Sequence, residues 1–328
     1  MSASARNLTI AFFALLVAGS LSPMALAGAR FPQWLEVVIG GLMSGVLYSL
    51  VAIGLVLIFK ASGVFNFAQG AMVLFAALAL VRLMVHMPFW AALVLVLLIM
   101  FALAWLVERL VLRPLVNQEG IVLFMATLGV ANFLNGFGQM VWGADVYTLD
   151  VGMPKEPKIL LEKMFDGGIL VSMEDLIAAL IAALLVAALA LFFQKTATGR
   201  ALRAVADDHQ AAQSVGIPLN RIWVIVWSVA GLVALVAGIV WGSKLGVQFS
   251  LQQIALKALP VVILGGFTSI PGAIVGGLII GLGEKLSEVY LGPSFGGGIE
   301  NWFAYVLALV FLLFRPEGLF GEKIIDRV

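Results

Sequence analysis

Cysteine is absent, which excludes a disulfide framework and thiolate chemistry. The only histidines, His86 and His209, lie far apart in sequence and give no basis for a metal site. Charge is thin: Asp, Glu, Lys and Arg make up 11% of 328 residues, against about 25% in soluble domains. The net charge is +1, so nothing in the balance suits nucleic acid. No phosphate loop of the form Gly-x4-Gly-Lys-Ser/Thr occurs, so ATP is not hydrolysed by that route. The apolar runs hold no aspartate pair, histidine cluster or Ser–His arrangement, which ranks an intramembrane enzyme last. No cofactor is implied.

What is present is apolar. Hydrophobic residues make up 62% of the chain, and the mean hydropathy is +1.11. A membrane-spanning helix needs about 20 apolar residues, and in lipid its backbone must be satisfied internally. Runs at 35–59, 64–85, 88–107, 120–142, 173–193 and 222–242 predict spans, with shorter stretches at 256–268, 271–283 and 299–314. The expected class is all-α: a polytopic transmembrane helical bundle of about nine or ten crossings, including broken or re-entrant short helices around Ser269-Ile270-Pro271. Gly41/Gly45, Gly272/Gly276 and Gly277/Gly281 form small-x3-small pairs suited to close helix packing.

Residues 1–28 read in two ways. Arg6, the apolar run Leu8–Leu21 and Ala25-Leu26-Ala27 have the layout of a signal peptide with its cleavage site. The alternative is an extra N-terminal transmembrane helix. With residues 28–34 outside, Lys60, Arg109, Arg113, the basic residues of 194–221, Arg315, Lys323 and Arg327 all fall inside, as the positive-inside rule asks. The loop 143–172 then lies outside and reads as a short capping structure.

The inner stretch 198–218 is the main polar island. Thr198 is the expected helix cap, Gly216 the end, and Pro218 the stop. Arg200, Arg203, Asp207, Gln210 and Ser214 recur at spacings of three and four, while Leu202, Val205, Ala212 and Val215 line another face. An amphipathic helix results. It either lies on the membrane surface or docks a cytoplasmic protein.

Several segments carry a family resemblance. Ala211-Ala212 and Gly216 stand where the coupling helix of ABC importer permeases has its EAA-x3-G motif, with Gln210 in place of the glutamate. Gly45–Gly54 leads into Gly63-Val64-Phe65-Asn66-Phe67-Ala68-Gln69-Gly70, which is similar to branched-chain amino acid (LivH-type) permeases, with Gln69 for the histidine of NFAHG. Glu108–Leu115, Leu264–Ala273 and the tail Arg315-Pro316-Glu317-Gly318-Leu319-Phe320-Gly321 resemble the same family. The resemblance covers residues 35–328 as one permease domain with a cytoplasmic coupling loop at 194–221. It implies a permease subunit of an ATP-driven, binding-protein-dependent importer in the bacterial inner membrane. Its partners would be a second, LivM-like permease chain, two cytoplasmic ATPase subunits, a periplasmic binding protein and membrane lipid. The solute would be a branched-chain amino acid or a related small polar molecule such as an amide or urea. Arg200, Arg203, Asp207, Ala211, Ala212 and Gly216 would contact the ATPase.

The predicted spans lack charges near their centres, which argues against ion-coupled carriage. A stand-alone carrier or channel for a neutral solute remains the alternative. Neutral pathway candidates are Asn132, Asn135 and Gln139, which share one helix face, Asn66 and Gln69, and Thr268 and Ser269 at the helix break. Each could equally serve interhelical hydrogen bonding.

Overall fold

The computed structural model describes residues 31–115, 118–160, 162, 168–207 and 209–321. The leader or first helix expected at 1–28 lies outside them. Long apolar runs form α1 (Phe31–Ser62), α2 (Gln69–Met84), α3 (Phe89–Val107), α4 (Gly120–Trp142), α5 (Met173–Lys195) and α8 (Leu219–Leu245). The polar stretch between α5 and the next long helix holds α6 (Ala197–Asp207) and α7 (His209–Ser214). A 3-10 turn (Phe249–Gln253) leads into α9 (Ile254–Lys257) and α10 (Leu259–Gly265). Then come α11 (Ile270–Tyr290), α12 (Gly292–Phe295) and α13 (Glu300–Phe314). Among the described residues, six helices are long and apolar enough to cross a membrane: α1, α3 (running on to Leu115), α4, α5, α8 and α11. Shorter apolar helices cover 69–84, 249–265 and 300–314.

The chain divides into two compact units, one of residues up to 52, 153–184 and from 257 on, the other of 53–152 and 185–256. In the first unit, α1 and α11 meet backbone to backbone. A Cβ on Gly45 would stand 2.7 Å from the Gly277 carbonyl oxygen, and one on Gly281 would stand 2.3 Å from Gly45 N. Only glycine permits that approach, so the pairs Gly41/Gly45 and Gly277/Gly281 do the close packing expected of them. Ser49 Oγ reaches the Ile274 carbonyl at 3.1 Å along the same seam. The tail folds onto the broken-helix loop: Leu319 N donates to Leu264 O at 2.8 Å and Phe320 N to Gly265 O at 3.1 Å. Two of the family-like segments are thus one structural feature. A two-stranded antiparallel hairpin, β1 (Pro157–Leu160) and β2 (Ile169–Ser172), pairs Pro157 with Ser172 and Leu160 with Ile169. Glu36 accepts from Leu170 N at 2.6 Å and ties this hairpin to the start of α1.

In the second unit, α2 packs against α8 and α4, and α3 packs on α8. A Cβ on Gly238 of α8 would lie 2.8 Å from the Val73 carbonyl of α2, so these two helices also touch through backbone. Tyr147 and Val247 form a bridge that joins the loops after α4 and α8.

Two expectations need correction. The stretch 271–283 is not a short half-helix but the first part of the 21-residue α11. Pro271 sits in its first turn, where its missing N–H costs nothing, and Ser269 Oγ caps Gly272 N at 3.0 Å. The predicted stretch stops at 283, yet the helix runs on through Glu284 and Lys285 to Tyr290, with Glu284 3% exposed and paired with Lys257 at 3.5 Å. Helix α11 therefore carries a buried carboxyl in its second half, with a lysine against it. Glu108, 0% exposed in a π-helical turn at the end of α3, is likewise held by Arg113 in a bidentate pair at 3.2 and 3.3 Å.

Candidate functional site

The second unit contains a cavity of about 280 Å³, close to the lower bound of roughly 300 Å³ for small-molecule sites. One wall is the loop between α1 and α2. Gly63, at φ +71°, turns the chain out of α1, so the span expected from residue 64 begins instead at Gln69. Asn66 Oδ1 accepts from Ala68 N at 3.0 Å, an Asx turn that starts α2. Its Nδ2 donates to Gln69 Oε1 at 3.4 Å, and Gln69 Nε2 donates to the Ala230 carbonyl at 3.3 Å. Both side chains are 0% exposed. Gln69 is a buried brace between α2 and α8, whereas Asn66 both braces the loop and lines the cavity. Phe65, Phe67 and Phe124 stack edge to face at 4.7 and 4.9 Å, and Thr127 Oγ1 accepts from Phe67 N at 3.4 Å.

The opposite wall is the segment from Phe249 to Leu256. It reaches α2 because residue 70 is glycine: a Cβ there would lie 2.0 Å from the Gln252 carbonyl oxygen. Gln252 and Gln253 line the cavity with Ala255 and Leu256. Asn135 of α4 donates from Nδ2 to Gln252 Oε1 at 2.7 Å. Its Oδ1 is buried without a hydrogen-bond partner among the described residues. No ionisable side chain lines the space. Its walls present side-chain amides and aromatic edges.

The expected pathway residues are therefore not one cluster. Asn66, Asn135 and, through its brace, Gln69 come together. Asn132 and Gln139 stay on the exposed side of α4, where Asn132 Nδ2 donates only within its own helix, to Leu128 O at 3.0 Å. Thr268 and Ser269 belong to the other unit, where Ser269 is a helix cap. Gln252 and Gln253 escaped the sequence reading because they lie between predicted spans. A glutamine pair inside an otherwise apolar stretch was the signal available.

The inner loop forms as an amphipathic pair of helices. Its cap is Thr196 rather than Thr198, with Oγ1 accepting from Gly199 N at 3.3 Å. A Cβ on Gly199 would fall 1.7 Å from the Phe193 carbonyl, so the turn from α5 into α6 requires glycine. Arg203 Nη1 donates to that same carbonyl at 2.9 Å and caps α5. Arg200, Asp207, Ala211 and Ser214 are exposed, while Leu202, Val205 and Ala212 are buried. Val215 departs from the expected apolar face and is 75% exposed, because α7 ends at Ser214. Gly216, at φ +86°, closes the helix in a Schellman turn, with Ile217 N on Ala212 O at 3.0 Å and Gly216 N on Gln213 O at 3.0 Å.

Buried helical seams, apolar perimeters and a charge-free internal cavity define a multi-pass α-helical membrane protein. The family described as branched-chain amino acid transport system, permease component, matches residues 37–315. The chain belongs to this family and is a permease. It is 28% identical to the high-affinity branched-chain amino acid transport system permease protein LivH of Escherichia coli K12 over 321 residues, covering 91% of this chain and 99% of that protein. Identity to LivH of Salmonella typhimurium is 27% with the same coverage. Identity to the permease protein BraD of Pseudomonas aeruginosa is 27% over 308 residues, covering 90% and 98%. No solved structure matches the chain.

Proposed function

We propose that this permease is one membrane half of an ATP-driven, binding-protein-dependent importer of the bacterial inner membrane, carrying branched-chain amino acids or a related small polar solute. Two ATPase subunits, a periplasmic binding protein and a second, LivM-like permease chain complete it. The observation that carries this reading is the cavity of about 280 Å³, walled by amides and aromatic rings in a chain that has no phosphate loop of its own. The solute passes through the space bounded by Asn66, Gln252 and Gln253, with the Asn135–Gln252 bond setting how far the 249–256 segment stands from α4. Residues 194–221 receive the push of the ATPases. Arg200, Asp207 and Ala211 face the partner there, and Ala212 and Gly216 shape the helix end. Arg203 acts first as an intramolecular cap, and its contact with the ATPase comes from the remaining guanidinium donors. ATP-driven closure moves this helix pair and alternates access to the cavity.

Proteoliposomes decide it. Labelled leucine is taken up only when the ATPases, second permease, binding protein and ATP are all present. Flux through this chain alone would make it a stand-alone carrier or channel. Within the complete system, Gln252→Ala lowers uptake without lowering ATPase assembly. Unchanged uptake would remove the cavity from the pathway.

A further inference from the structure

A charge inside a membrane-spanning helix is expensive, and where one is kept it usually serves a pathway or a ligand. One ion pair within the first unit stands in that position. Glu284 lies on α11 six residues before its end at Tyr290, about 9 Å inside the helix at 1.5 Å per residue. Its side chain is 4% exposed. The Tyr48 hydroxyl of α1, itself buried, donates to the Glu284 carboxylate. Lys257, the last residue of α9, reaches Glu284 Oε1 with Nζ at 3.5 Å. That is long for such a bond, and it is the only hydrogen bond this ammonium makes among the described residues. An ammonium has three donors. The lysine side chain is 37% exposed, so the cation is accessible while the carboxylate stays sealed. Stability does not account for the pair. Burying two charges costs about what their attraction returns, and apolar residues of similar size would join α9 to α11 as well. The next residue of α11 gives the contrast: Lys285 pairs with Glu300 at 3.3 Å, both side chains well exposed, as an ordinary rim pair.

We propose that Lys257 binds the carboxylate of the amino acid this permease carries, with Glu284 and Tyr48 as its positioning residues. A free amino acid crosses as a zwitterion, and its carboxylate is costly to strip of water unless a cation meets it. The cavity walled by Asn66, Gln252 and Gln253 supplies amides and no ionisable side chain. Lys257 directly follows Leu256, the last residue of that wall, in the chain, and supplies the missing charge. The sealed carboxylate of Glu284 holds the ammonium from behind, and Tyr48 fixes the carboxylate. The inference rests on the importer reading for its solute and names the group that recognises the solute's charged end.

The complete transporter in liposomes supplies the test, with labelled leucine as the probe. Lys257→Gln together with Glu284→Gln removes both charges at nearly constant shape, so neither partner is left buried alone. The doubly substituted chain should melt as the wild type does and recover its ATPases. Its leucine uptake should fall about tenfold or more, the measure of one lost charged hydrogen bond. The exchanged pair, Lys257→Glu with Glu284→Lys, should fold too and should not restore uptake. Wild-type uptake by either chain makes the pair a structural tie and overturns the inference. Reductive methylation, with its sites mapped by peptide mass, reads the lysine in the unmutated transporter. Leucine should slow methylation of Lys257 and leave that of Lys285 unchanged. Leucinamide, which lacks the carboxylate, should protect neither. Equal protection of Lys257 by both solutes, or by neither, overturns the proposal even where a substituted chain fails to fold. Uptake separates the two readings: ATP-driven leucine uptake with Lys257 unprotected refutes only this inference, whereas ATP-independent flux refutes the importer itself.

Discussion

Helices α11 and α4 both carry glycines in long apolar stretches, and the two use them in opposite ways. In α11, Gly277 and Gly281 lie against the backbone of α1, and a Cβ on Gly277 would stand 2.0 Å from Ser49 Oγ. In α4, Gly129 and Gly136 face open space. The first seam is closed within the chain and serves folding. The second is open and has no role in folding this chain. Composition alone does not separate them, since glycine in a membrane helix means close approach only when something approaches.

The sharpest way to break this contrast is Gly281→Ala. Its Cβ would sit 2.3 Å from Gly45 N, so α1 and α11 must separate, at a cost of about 3 kcal/mol or more. Thermal unfolding in detergent should show a large drop, and a wild-type melting curve would mean the seam is not closed. Gly70→Ala tests the same physics inside the cavity. The 249–256 segment must shift to clear the 2.0 Å approach to Gln252 O, and uptake should fall with a stability loss of about 1–3 kcal/mol. Gln252→Ala removes the partner of Asn135 Nδ2 and should cost about 1 kcal/mol, read by the same melt, beside its effect on uptake. Arg203→Ala loses the cap on Phe193 O and should cost about 0.5–1.5 kcal/mol, whereas Arg200→Ala leaves stability alone and weakens ATPase recovery. At the small end, Gly136→Ala should leave the isolated chain at least as stable as it was, because alanine is the better helix former and meets nothing.

Much of the bundle was legible because lipid imposes one simple rule, a long apolar run made helical. The run at 120–142 became α4 with those very ends, and 173–193 became α5 within two residues at its far end. Errors came where a local group overrode the run. Gly63 and the Asn66 turn delayed α2, since a positive φ and a side-chain hydrogen bond divert the backbone before any span begins. The predicted stretch 271–283 stops short of Glu284, but a buried carboxyl can continue a helix when a lysine 27 positions earlier folds back to meet it. The polar stripe of α6 and α7 was readable from spacing alone, while the fold-back of Arg203 onto Phe193 was not.

The asparagines of α4 mark the boundary between the two sources of information. Their spacing puts Asn132, Asn135 and Gln139 on one side of a helix, and 3.6 residues per turn makes that unavoidable. Which of them is tied to the cavity wall depends on Gln252, 117 residues away, arriving against Asn135 over a glycine at position 70. Apolar periodicity and turn chemistry are local and act through the chain itself, so the sequence by itself determined a helical membrane permease with an amphipathic polar loop at 194–221. The cavity, the closed seam of α1 and α11 and the open face of α4 depend on whether a distant stretch of backbone comes into contact. Only the tertiary structure decided those, because packing at that distance turns on which backbone arrives rather than on which residue waits for it.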